Sequence, residues 1–150
     1  MSEIEKRQEY AITLRNRGYN CAQCVLMALS DHIGLDEKLA ARISAPYGTG
    51  FGGAGLMCGV MSILGIAEGM MTPGHGPEDK AESMWRTKAM LEKFSKENGD
   101  RFLCRELKGK EDTRKCPDLI KLAIQLFMEE HPRGVKPKGL FAQIKKAIGS

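Results

Sequence analysis

Apolar positions along this chain recur at helical spacing, in blocks separated by glycine and proline. In residues 2–17, Ile4, Tyr10, Ala11 and Leu14 form one stripe, and Gly18 suits a helix stop. Asn20 is a good N-cap for a second helix from 21 to about 33, ended by Gly34. Asp36 can cap a third over 37–44, which Pro46 closes. Residues 48–55 hold five glycines and suit no regular element; a loop with several residues at positive φ is expected. Residues 58 to about 71 are apolar nearly all round, which predicts a central, buried helix.

The breaker at 72–77 precedes a long amphipathic helix from 78 to about 97. Met84, Lys88 and Leu91 with Trp85, Ala89 and Phe94 divide it into an apolar and a charged side. Residues 102–107 suit one or two helical turns, and 108–115 read as a charged loop. Pro117 fits the first position of a helix running to about 130. A short amphipathic piece at 140–148 follows a linker-like stretch at 131–139. No segment alternates with period two. The expected fold is all-α: a single-domain bundle over 1–150 of six to seven helices, with the glycine-rich loop before a buried central helix.

A chain of 150 residues suits one domain, burying roughly 70% of its unfolded surface without need of disulfides. No apolar run approaches the ~20 residues of a membrane span. The start of the chain is polar and lacks a signal-peptide h-region, so a cytoplasmic protein is expected. The formal charge is 23 − 19 = +4. Residues 131–150, a basic extension, carry Arg133, Lys136, Lys138, Lys145 and Lys146 with no acid. A solvated basic tail is the simplest reading. Without aromatic-basic interleaving, no nucleic-acid partner is expected.

Five cysteines carry most of the chemistry. Cytoplasmic thiols are mostly kept reduced, and an odd count rules out a fully disulfide-paired monomer. Cys21, Cys58 and Cys116 sit at predicted helix starts, where backbone N–H groups and the macrodipole favour thiolate. Cys21 and Cys24 lie one helical turn apart, near enough for a disulfide or for two ligands of one metal; two small core residues is the alternative. Val25 excludes the haem-attachment pattern, and a thioredoxin-like βαβ setting is missing. Neither zinc-ribbon nor ferredoxin spacings occur.

Gly48, Gly50 and Gly53 formally match a dinucleotide fingerprint, but no strand precedes them. A milder expectation is that Gly52, Gly53, Gly55 and Gly59 let a small ligand, cofactor or another segment approach Cys58. A turn around a crowded core fits equally well. His75 reads as an exposed loop residue, and His32 and His131 have no visible partner in the sequence.

Four cysteine blocks carry a family resemblance. They are Asn20-Cys21-Ala22-Gln23, Cys58-Gly59-Val60-Met61-Ser62-Ile63-Leu64-Gly65, Cys104-Arg105-Glu106-Leu107 and Cys116-Pro117-Asp118-Leu119-Ile120. Over about residues 19–128 the chain resembles the C-GCAxxG-C-C family, small bacterial and archaeal proteins with four characteristic cysteines. Val60 and Ile63 replace the family's Ala and second Gly, so the helix after Cys58 cannot be approached as closely there. Cys24 lies outside the family pattern. The resemblance implies redox or metal chemistry at Cys21, Cys58, Cys104 and Cys116 and names no substrate.

The leading expectation is thiol–disulfide exchange or electron transfer at these four converged cysteines, with a redox partner protein or a small thiol. Cys104 would serve as the partner or resolving thiol. The alternative is an iron–sulfur cluster or another thiophilic metal held by Cys21, Cys58, Cys104 and Cys116. A third reading is a structural homodimer with a cysteine-rich core.

Overall fold

The structure is a computed structural model and describes residues 1–108 and 115–135. The expected helix at 140–148 and most of the charged loop at 108–115 lie outside the described residues.

Among the described residues there are seven α-helices and no strand: α1 (Glu3–Asn16), α2 (Cys21–Leu29), α3 (Glu37–Ser44), α4 (Gly59–Met71), α5 (Lys80–Lys96), α6 (Cys104–Leu107) and α7 (Cys116–Glu130). The caps read in the sequence form as expected. Asn20 Oδ1 accepts from the Gln23 N–H, and Gln23 reaches back to the Asn20 N–H, completing a capping box. Asp36 accepts from the Leu39 N–H. Gly18 and Gly34 take positive φ after α1 and α2.

α2 stops at Leu29, four residues before its expected end. The Ser30 hydroxyl donates to the Met27 carbonyl at 2.8 Å, and the Ser30 N–H turns to the same oxygen. A side-chain donor competing for a helical carbonyl is a common way for a last turn to tighten.

α2 is the core helix, buried from Cys24 through Leu29. It packs against α1, α3, α4 and α7, and α5 covers α4 and α7. α4 is buried along most of its length, as its pattern predicts. The apolar side of α5 is used only in part: Met90 and Phe94 are buried, while Met84 and Trp85 remain 67% and 68% exposed. They stand between Ser83, which shares a pocket with Gly69 of α4, and Arg86, which pairs with Glu68 and Glu130, so they point away from the side of α5 that meets its neighbours. Tyr10 also turns outward from the α1 stripe and donates to Glu37. No helix of the described residues is long and apolar enough to cross a membrane.

The loop at 48–55 bends through positive φ at Thr49, Gly50, Phe51, Gly52, Gly53 and Gly55. Internal bonds hold it, including Gly52 N–H to Pro46 O and Leu56 N–H to Gly50 O. It then enters a single antiparallel bridge, Met57 with Leu103.

Candidate functional site

Four helix starts carry the four family-type cysteines. Cys21, Cys104 and Cys116 are the first residues of α2, α6 and α7, and Cys58 is the N-cap of α4. The Met57–Leu103 bridge ties two of these starts together. The Cys58 N–H donates to Phe102 O at 2.8 Å, and the Cys104 N–H to Leu56 O at 2.6 Å. Packing of α2 against α4 and α7 brings in Cys21 and Cys116. All four cysteines line one cavity of about 50 Å³. Cys58, Val60, Leu107 and Leu119 form its buried interior, and Thr49, Lys108 and Cys116 its exposed mouth. All five cysteines are free thiols.

Glycines permit this convergence at particular places. A Cβ on Gly59 would lie 2.6 Å from Tyr47 O and 3.2 Å from Cys21 Sγ. One on Gly50 would lie 2.5 Å from Leu56 N and 2.8 Å from Cys104 Cβ. Gly59 lines the cavity, whereas Gly52, Gly53 and Gly55 do not. Gly52 and Gly53 face open space, and Gly55 makes room for the Arg105 side chain. The glycines that matter here admit protein neighbours to one another.

Cys21 and Cys58 are not activated as helix-start position alone suggests. Burial pushes Cys58 up to about 12, against a favourable backbone N–H from Val60; Cys21 and Cys104 push it further up. Burial also raises Cys21; the Thr49 N–H draws it down, and Cys116 draws it up again. Cys104 is raised by burial, then by Cys21 and Cys116, with Lys108 pulling the other way. Removing a thiolate from water outweighs the helix-start field, and neighbouring thiols add repulsion between negative forms. Cys24 differs: fully buried, it donates weakly to Tyr19 O at 3.6 Å and does not line the cavity.

A resident metal or cluster needs several donors aimed at one point. Among the described residues, no group of three or more His, Cys, Asp or Glu side chains is placed to hold a metal ion. As folded, the described side chains therefore do not surround a single metal ion.

A second polar cluster leaves no mark in the sequence pattern. His131 donates to the fully buried Glu68 carboxylate at 2.5 Å. The Thr72 hydroxyl also reaches Glu68, and the Arg86 guanidinium lies 3.9 Å away. His32 donates through Nε2 to the His131 carbonyl. Cys21, Cys58 and Cys116 stand at the starts of α2, α4 and α7; His32, Glu68 and His131 stand at their far ends. The three helices therefore run parallel, with thiols at one pole and this cluster at the other. Along α4 the two are about 15 Å apart. His75 is exposed in its loop, as expected.

No curated protein and no solved structure matches the chain. A family model described as "Putative redox-active protein (C_GCAxxG_C_C)" matches residues 19–130. That match takes in all four cysteine blocks and most of the chain, which therefore belongs to the C_GCAxxG_C_C family.

Proposed function

We propose that the cavity is a dithiol–disulfide exchange site, in which Cys116 meets the partner and a second cavity cysteine resolves the intermediate. The observation that carries this reading is the meeting of four free thiols, from four separate helix starts, in one small cavity with one of them exposed.

The Cys116 thiolate attacks one sulfur of an external disulfide. The external S–S bond breaks, and the leaving thiolate departs with the electron pair and takes a proton from water. Cys104 or Cys21, each lining the same cavity as Cys116, then attacks Cys116 Sγ. The second external thiol leaves. Two cysteine thiols are oxidised to one disulfide, and the external disulfide is reduced to two thiols. The reverse sequence oxidises a thiol partner. Raised thiol pKa values make the reduced cavity a stable resting state at neutral pH, with the exposed thiol the first to react.

The test is disulfide mapping by mass spectrometry in redox buffers stepped from about −300 to −150 mV. A reversible disulfide joining Cys116 to Cys104 or Cys21 supports the reading. Thiols that stay reduced across the range, or a bond made only between molecules, would sink it.

A further inference from the structure

The charge pattern at the cavity mouth deepens the exchange reading, and the selectivity it implies rests on that reading. Among the described residues that line the cavity, Lys108 is the only one with a charged side chain. It stands four residues after Cys104, and its own N–H donates to the Cys104 carbonyl at 2.9 Å, closing the single turn of α6. The backbone thus fixes the root of the lysine beside a cavity thiol. Lys108 is exposed where it lines the cavity, and a lysine so placed keeps its ammonium in water.

At about 50 Å³ the cavity has room for only a few water-sized groups. A sulfur and its adjoining methylene can enter; the rest of a partner must remain at the mouth. There it meets Thr49, Cys116 and the ammonium of Lys108. Asp118, two residues beyond Cys116, is the nearest acid in sequence on α7 and does not line the cavity.

We propose that Lys108 is a specificity-determining residue, which selects small disulfides and thiols carrying a negative group, such as a carboxylate, one or two carbons from sulfur. The ammonium holds that group at the mouth while the partner's sulfur faces Cys116. A cationic partner of the same size is repelled.

Three disulfides of similar size and different charge test this: dithiodiglycolate (anionic), hydroxyethyl disulfide (neutral) and cystamine (cationic). The rate at which each oxidises the reduced protein is measured for the wild type, Lys108→Met and Lys108→Arg. The wild type should favour the anionic over the cationic reagent, and Lys108→Met should lower that ratio about five- to tenfold. Lys108→Arg should keep it, and added salt should weaken it. An unchanged ratio in Lys108→Met overturns the proposal. So does an equal slowing with all three reagents, since that would place the lysine's effect on the thiol instead of the partner. If no reagent oxidises a cavity thiol in the wild type, the exchange reading itself falls, and the selection falls with it.

Discussion

Gly59 and Cys21 meet so closely that a methyl group on Gly59 would sit 3.2 Å from the Cys21 sulfur and 2.6 Å from the Tyr47 carbonyl. The approach of α4 to the start of α2 thus depends on the missing side chain. Gly59→Ala should cost about 1–3 kcal/mol, because the carbonyl belongs to backbone and cannot swing away. Alkylation of Cys21 should change at the same time, since the two helix starts must separate. Gly69 gives the contrast: it is a helical residue of α4 with nothing within 4 Å of a Cβ. Gly69→Ala should stabilise by about 0.5–1 kcal/mol. Urea denaturation of both variants checks the pair, and equal effects would contradict the contact.

The Glu68–His131 pair should matter for stability and not for thiol chemistry. Glu68 is fully buried, so His131→Ala leaves a carboxylate with, among the described residues, only Arg86 at 3.9 Å and the Thr72 hydroxyl beside it. A loss of about 3 kcal/mol is expected, at the lower end for a broken buried pair because Arg86 remains. Glu68→Gln combined with His131→Ala should cost less than the two single changes added together. Alkylation rates of the cavity cysteines should stay unchanged in the single variants. A large change there would mean that the two poles of the helices are coupled.

Cys58 predicts a loss of stability in alkali. An exposed thiol titrates at about 8.5, whereas burial raises Cys58 to about 12. The folded state holds this proton more tightly than the unfolded one. Its contribution is therefore fully present below about pH 8.5 and is lost as pH rises toward about 12. Cys21, Cys24 and Cys104 are shifted in the same direction and add to the trend. Denaturation curves between pH 7 and 11, on the order of one-unit steps, should show falling stability that is shallower in Cys58→Ala. An unchanged slope in that variant would reject the assignment.

Local and non-local features of this chain differ in how far the sequence reveals them. Helices are legible because their signals are local: the Asn20 capping box, the Asp36 cap, Pro117 in the first turn of α7, and glycines at the stops. The all-α fold follows from those signals. The grouping of the four cysteines around one cavity is suggested only by family resemblance, because no local spacing relates Cys21 to Cys116. The His32–His131–Glu68 cluster leaves no local trace either. It arises where three parallel helices end, and each member looks unpartnered within its own segment. The thiol shifts run opposite to the helix-start expectation for a related reason: a helix start can be read in sequence, but the burial that outweighs it arises from packing. Met84 and Trp85 look apolar enough for the core in sequence, yet the side of α5 that meets α4 and α7 is the one carrying Ser83, Arg86 and Thr87, and the two stay exposed.

Cys24 and Cys116 should behave as opposites. Cys24 is fully buried, with its sulfur toward the Tyr19 carbonyl; Cys116 is exposed at the cavity mouth. Cys24→Ala should cost about 1 kcal/mol, the ordinary toll of a trimmed core residue, and leave the disulfide map untouched. Cys116→Ala should cost almost nothing in stability, yet remove both the fastest-alkylating thiol and the mapped disulfide. Burial explains the difference: it shields Cys24 from reagents and, ahead of the neighbouring Cys21, raises that thiol to about 11. A buried thiol with so little thiolate at neutral pH is a poor nucleophile. Alkylation kinetics followed peptide by peptide, alongside thermal unfolding, separate the two. Loss of the disulfide in Cys24→Ala would make the adjacent Cys21–Cys24 pair the reactive unit and leave the cavity as packing alone.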